Sequence, residues 1–433
     1  MRSDTAGGGD RNHLPPFAGY TYLGQFIDHD LTLDLTPLAL AGKTAVTATP
    51  NFRSPRFDLD HLYGGGLELT PFLFRSASPP GEERFCIGMT RPAVGEGRYL
   101  ESSLNDLPRN SDGAALASDP RQDENLNLAQ LHVTFLRSHN RLLDNSELLN
   151  ASPHYKDVGS RFKAAQRALT WHYQWIIRHD FLRQILDPEI FAQLEGDQAL
   201  QVGPPSGDFA VPVEFSLAAF RFGHSVVRDD YFFNDFHRAA ALADLFRLTG
   251  RGGGATPALP ADWVIDWKRF FFVGAAVGSA RHSERIDTII ADGLHQLPGD
   301  STVSPHLPVR TLQRGERVGL PAGQRVAEAL GFVPLQANQI ANGADGDTLR
   351  KYGYDAQTPL WYYILKEAEI IHEGRCLGTT GSKIVAEVIL GALLSDPDSY
   401  VSVDPAWRPT LPHSGPPESY GMSDLLRFAQ AAS

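Results

Sequence analysis

Sulfur is nearly absent from this chain: 433 residues contain two cysteines and three methionines. Cys86 and Cys376 lie far apart and show no Cys-x-x-Cys spacing, which excludes a disulfide framework and a thiolate metal site. No apolar run approaches the roughly 20 residues that span a bilayer, and the opening Met1–Gly9 lacks the apolar centre of a secretory signal. The expectation is a soluble, cytoplasmic protein. Bases are outnumbered 39 to 51 by acids, a net charge of −12, so the concentrated positive surface that nucleic acid requires is excluded. Internal repeats and sustained heptads are missing too, which removes solenoids and coiled coils.

What is present is helical periodicity in an ordinary globular composition, 42% apolar and 21% charged. Leu128, Leu131, Phe135, Leu136, Leu142 and Leu143 predict a helix over 126–145, and an apolar stretch from Phe162 to Leu186 predicts a central one. Further helices are expected over 213–227, 238–248, 322–331, 360–371 and 381–395. Stretches rich in Gly, Pro, Asp and Ser at 76–83, 105–120, 250–262, 296–309 and 403–418 read as loops. Strand-like runs are short, so the fold class is mainly α, with one domain over 1–433.

Four polar clusters stand out. Gly24-Gln25-Phe26-Ile27-Asp28-His29-Asp30, if helical, puts Gln25, Asp28 and His29 on one face and Asp30 about 200° from Asp28, so one segment can serve two sites. Asp119-Pro120-Arg121-Gln122-Asp123-Glu124-Asn125 precedes the helix at 126 and, alone, reads as an acidic helix start. Phe220-Arg221-Phe222-Gly223-His224 places Arg221 and His224 three apart, where a lone histidine is ordinarily a satisfied core residue. Ser54-Pro55-Arg56-Phe57-Asp58-Leu59-Asp60 presents oxygen ligands at alternate positions, as calcium loops do.

Together, and in this order, the four clusters resemble the animal-type haem peroxidases of the peroxidase-cyclooxygenase superfamily, closest to short bacterial, peroxinectin-like members. Tyr63-Gly64, Phe135-Leu136-Arg137-Ser138-His139-Asn140-Arg141-Leu142 and Gly319-Leu320-Pro321 extend the match over about 15–399, leaving 400–433 as a C-terminal extension. The resemblance implies a b-type haem between two helices. It makes His29 the distal histidine, with Gln25 beside it and Arg121 as the distal arginine, and His224 the proximal iron ligand. Imidazole moves the peroxide proton and guanidinium stabilises the charge that develops. Arg221 and Arg314 match propionate-side arginines. Thr311 stands where the family has the asparagine that orients the proximal histidine; threonine can accept the Nδ1–H bond but is shorter, so either a bridging water or another group is expected to serve.

Asp28 and Glu124 match the acids that mammalian members esterify to haem methyls, against the alternative that both stay unlinked. Asn125 replaces the methionine of the strongest chlorinating member, so the expected donors are phenols, bromide, iodide or thiocyanate. Asp30, Ser54, the Arg56 carbonyl, Asp58 and Asp60 match the family's calcium ligands. The implied function is peroxide reduction through ferryl intermediates, with a role in the response to oxidative stress.

Three alternatives compete. A fatty-acid dioxygenase of the superfamily carries a tyrosine three residues before the proximal histidine, where this chain has Arg221, although Tyr173 and Tyr231 stay open as radical sites. A non-catalytic haem or adhesion module is disfavoured by the intact Gln25, His29 and Arg121 and by the lack of an Arg-Gly-Asp or Lys-Gly-Asp triplet. A non-haem metal hydrolase lacks His-Glu-x-x-His spacing, since Ile371-His372-Glu373-Gly374 has no second histidine.

Overall fold

The computed structural model describes residues 14–33, 51–156, 158–195, 209–250, 255–273, 280–297 and 304–431. Met1–Gly9 and parts of the expected loops at 250–262 and 296–309 lie outside them. Helices build the molecule: α1 (Gly19–Leu31), α2 (Leu126–Asp144), α3 (Arg161–Trp175), α4 (Leu307–Val318), α5 (Leu360–His372), α6 (Thr379–Ser395) and α7 (Met422–Gln430), with shorter turns between. Strand structure among the described residues is confined to two-stranded antiparallel ladders, such as Ala93–Gly95 with Arg98–Leu100, and isolated bridges. Among the described residues no helix is long and apolar enough to cross a membrane.

The order follows from burial. α2 starts where the Asn125 side chain accepts the Leu128 amide at 3.0 Å, and its apolar stripe packs against α1, α3 and α7. α3 is buried on most of its circumference and continues through a π turn, Ile176–Phe181, to Leu182–Ile185. One contiguous apolar core runs from Ala18, just before α1, to Phe428 on α7. α1 begins at a close approach: a Cβ on Gly19 would fall 2.2 Å from the Phe271 ring, so only glycine lets the chain enter there.

The helices expected at 126–145, 360–371 and 381–395 form within two residues of their bounds. That expected over 213–227 breaks. Val213–Leu217 is α-helical, Ala218 leaves the helical region at φ −137° and ψ −70°, and Ala219–His224 is a 3₁₀ turn. The segment expected over 238–248 is shorter, because Ala240–Ala241 pairs with Asp230–Tyr231 and the helix covers only Leu242–Arg247. α4 and α7 were not anticipated.

Candidate active site

α1 is amphipathic in an unusual sense, since both of its faces meet protein. Leu23, Phe26 and Ile27 are buried in the core, while Thr21, Gln25, Asp28, His29 and Thr32 form a stripe along one wall of a cavity of ≈ 390 Å³. The volume falls in the range of small-molecule sites. Thr32, at the helix end, donates to Asp28 Oδ1 at 3.0 Å and fixes that carboxyl beside the cavity. Burial pushes the Asp28 pKa up, against the opposing charge of Arg121.

The turn at 119–123 sits against α1. Asp119 caps it, accepting the Arg121 amide at 2.9 Å, and its carboxylate also takes Arg121 Nε and Nη2, at 3.1 and 2.7 Å. Arg121 Nη2 donates in addition to the His29 carbonyl at 3.0 Å, leaving Nη1 with no hydrogen bond among the described residues. The imidazole of His29 is buried, with its Nδ1 3.3 Å from the Gln122 amide and its Nε2 3.8 Å from Glu124 Oε2. Burial first, and the Arg121 charge second, push its pKa well below the usual histidine value, so the ring is neutral at neutral pH. The Glu124 side chain lines the cavity and is 47% exposed; desolvation raises its pKa, against the charge of Arg121. Gln25 bridges the two walls, donating to Glu124 at 3.3 Å and accepting from Asn125 at 2.9 Å.

A second imidazole reaches the same cavity from the 3₁₀ turn. With three residues per turn, Arg221 and His224 eclipse each other, and both line the cavity. His224 Nδ1 lies 3.3 Å from Thr311 Oγ1, whose own proton goes to the Leu307 carbonyl at 3.0 Å. Thr311 thus meets the His224 ring directly, where a bridging water or another group was expected. Burial and the charges of Arg221 and Arg310 press the His224 pKa down to about 3. Arg310, one turn before Arg314 on α4, lines the cavity; Arg314 is buried and does not. Arg314 is the propionate-side arginine that the family resemblance implies, and Arg310 is a second cation on the same helix, unmarked by the motif, that lines the cavity.

Behind α1, Asp30 is fully buried, its Oδ1 2.7 Å from His61 Nδ1 and its Oδ2 accepting the Leu59 amide at 3.3 Å. Asp30, Asp60 and His61 could together hold a metal ion. Asp58 is turned onto the Ser54 hydroxyl and the Asp60 amide, at 3.0 and 3.1 Å, and the Arg56 side chain points away to Asp396 at 3.6 Å. Burial, and for Asp58 and Asp60 the neighbouring Asp30, pushes these pKa values up to about 8 for Asp30 and about 7 for each of the others. Arg53 pairs with Asp60 at 3.0 Å and with Asp119, so an ion-pair chain joins this cluster to Arg121. Sequence reasoning missed His61, Arg53 and Gln122. His61 and Arg53 flank the acidic loop and Gln122 lies within the 119–125 cluster, but residue type alone gave none of the three a role.

Residues 90–351, more than half of the chain, match the family model for animal haem peroxidases. The chain belongs to the animal haem peroxidase family. The matched span includes Arg121, His224 and Thr311 and leaves α1 outside, so it is the folding of this peroxidase-family chain that brings His29 to them. Dog thyroid peroxidase (Canis lupus familiaris) is 37% identical over 117 residues, 26% of this chain and 11% of that protein. The chain therefore spans only a small part of that relative's length. Peroxidase A from Dictyostelium discoideum has the same fold, with a TM-score of 0.57 at 18% identity, covering 92% of this chain and 81% of that one. So does fatty acid alpha-dioxygenase from Arabidopsis thaliana, at TM-score 0.61 and 14% identity, covering 92% and 69%. The mainly helical fold and the family expected from the motifs are borne out.

The haem that the family implies fits these residues. Two neutral imidazoles enter one cavity from different elements, Arg221 and Arg310 offer cations for carboxylates, and a Cβ on Gly223 would meet nothing within 4 Å, which leaves open space beside His224. Tyr173 is packed in the core against Phe26 and Phe57, whereas Tyr231 accepts from the hydroxyl of Tyr22, a cavity residue, at 2.8 Å.

Proposed function

We propose that the protein reduces hydrogen peroxide and oxidises a small donor, a phenol, bromide, iodide or thiocyanate, at a b-type haem held between His29 and His224. The observation that carries this reading is one cavity lined by two neutral imidazoles, His29 buried and His224 partly buried, each beside an arginine. Haem, when bound, supplies the redox chemistry that splits peroxide and passes oxidising equivalents to the donor. His29 Nε2 accepts the proton of the near peroxide oxygen and returns it to the far one. Arg121, held at Nε and Nη2, keeps Nη1 available for the negative charge that develops on the departing oxygen. Gln25 orders the small molecule beside His29. His224 serves as iron ligand through Nε2, with Thr311 accepting its Nδ1 proton and setting its orientation. Arg221 and Arg314 would pair with the haem propionates, with Arg310 as a further cation on the cavity wall. Asp28 and Glu124, both on the cavity wall with pKa values raised by burial, would supply the carboxyl groups for ester bonds to the haem.

The acidic cluster is proposed as a calcium site, with Asp30, Ser54, the Arg56 carbonyl, Asp58 and Asp60 as ligands. Burial raises the pKa values of all three carboxylates, and the Asp30 charge adds to the rise at Asp58 and Asp60, a concentration of negative charge that a hard divalent cation would relieve. His61 already engages one oxygen of Asp30.

The test is direct. The purified protein is supplied with haem, its visible spectrum is recorded with and without hydrogen peroxide, and donor oxidation and fatty-acid oxygen uptake are assayed in parallel. His29→Ala is expected to retain haem and to react with peroxide about 10²- to 10⁴-fold more slowly. A chain that acquires no Soret band, or a His29→Ala variant as fast as the wild type, overturns the reading. Oxygen uptake with fatty acid and no donor oxidation replaces it with the dioxygenase.

A further inference from the structure

Gln122 is completely buried on the side of His29 away from the cavity. Its amide is the side-chain group that meets His29 Nδ1, at 3.3 Å, and its Oε1 has no partner among the described residues. The neighbouring Arg121 grips the His29 backbone carbonyl from the same turn. Two consecutive residues therefore fix one histidine, Arg121 at its main chain and Gln122 at its ring.

The two ring nitrogens of a neutral histidine are not equivalent: one carries the proton and the other a lone pair, and the partner of one decides the role of the other. An amide nitrogen donating to Nδ1 forces the proton onto Nε2 and leaves no base facing the cavity. An amide oxygen accepting from Nδ1–H frees the Nε2 lone pair. A half-turn of the Gln122 amide exchanges these two atoms with no change of shape. The exchange trades one unpartnered buried atom for another, so packing is neutral between the two and the requirement at Nε2 decides.

We infer that Gln122 is a positioning residue that holds the Nδ1–H tautomer of His29 through its carbonyl oxygen, so that Nε2 presents its lone pair to a protic ligand in the cavity. The inference rests on the peroxidase reading and deepens it. It uses the order of the 119–123 turn: Asp119 caps, Arg121 turns toward the cavity, and Gln122 turns beneath α1. A residue at 122 without an acceptor would leave the ring free to take either tautomer.

The experiment uses the haem-loaded wild type, Gln122→Met, which matches the side chain in size but is a poor acceptor, and Gln122→Glu, which restores an oxygen. Rates are measured for hydrogen peroxide and for association of hydrogen cyanide, a ligand that must also give up its proton. Gln122→Met is expected to slow both by about 10- to 100-fold, the usual cost of removing the partner of a functional imidazole. Its Soret position and its KM for the donor should stay unchanged, and Gln122→Glu should recover both rates. A Met variant as fast as the wild type, or a Glu variant as slow as the Met variant, overturns the inference. Should the Met variant fail to hold haem, long-range ¹H–¹⁵N spectra of the wild type in its diamagnetic ferrous carbonyl form decide: a proton on His29 Nδ1 supports the inference, and a proton on Nε2 overturns it. A wild type that never reacts with peroxide overturns the peroxidase reading itself, whereas a reactive wild type with an equally reactive Met variant overturns only the role of Gln122.

Discussion

Replacing Asp119 by alanine should cost far more than replacing an exposed acid of equal charge. Asp119 is 1% exposed and holds two guanidiniums, Arg121 through Nε and Nη2 and Arg53 through Nη2. Removing one partner from a buried ion pair typically costs about 3–5 kcal/mol, because the remaining charge is stranded. Here Arg53 keeps Asp60 and Arg121 opens partly to the cavity, so the low end, about 3 kcal/mol, is expected. Asp235→Ala is the control: that acid is 59% exposed in its pair with Arg269, and its loss should cost no more than about 1 kcal/mol. Urea transitions of the two variants and the wild type give the comparison. Acid should reveal the same node. Burial opposes ionisation of Asp119, but its bonds to Arg121 and Arg53 outweigh burial and hold its pKa well below the unfolded value of 3.8. The stability it contributes is present above pH 3.8 and is lost as pH falls through the depressed folded value. Equal losses for Asp119→Ala and Asp235→Ala would refute the reasoning.

Thr311→Val keeps the shape and removes the acceptor of the His224 Nδ1 proton, so the haem-loaded variant should show a raised iron reduction potential in spectroelectrochemical titration while retaining haem. In acid-acetone extraction, haem that stays with the wild type and is released from the double variant Asp28→Asn, Glu124→Gln would establish the ester links. For the acidic cluster the folded pKa values, about 8 for Asp30 and about 7 for Asp58 and Asp60, lie above 3.8. Protonation therefore stabilises the metal-free chain, and that stability is complete below about pH 4 and lost as pH rises through 8. Chelator should lower Tm more at pH 8 than at pH 5, with calcium restoring it; a chelator effect independent of pH would count against the site.

The sequence disclosed what periodicity and residue type encode. α2, α5 and α6 carry uninterrupted apolar patterns and could be placed within two residues. α4 could not, because only Thr311, Arg314 and Val318 of its residues are buried and its start lies within a stretch rich in proline. The break at Ala218 was invisible for a different reason: Val213–Val227 has a helical apolar pattern, and tertiary contacts impose the 3₁₀ turn that aligns Arg221 with His224. In the site, side chains with distinctive chemistry were legible as motifs. Residues that act through another group were not, since Arg53, Gln122 and Arg310 acquire meaning only from what lies opposite them.

Adjacent residues of α1 serve opposite faces, and this adjacency constrains the molecule. His29 and Asp30 are about 100° apart on the helix, one in the cavity wall and one in the acidic cluster. A rotation of α1 that improved one contact would spoil the other. The two faces are also joined outside the helix, by the ion pairs from Asp60 through Arg53 and the buried Asp119 to Arg121, which ends on the His29 carbonyl. Helix and ion pairs form a closed circuit, so neither site can shift alone. Through these contacts the acidic cluster and the seat of Arg121 are parts of one ion-pair chain. The acidic cluster thus belongs to the cavity's architecture even though none of its carboxylates lines the cavity.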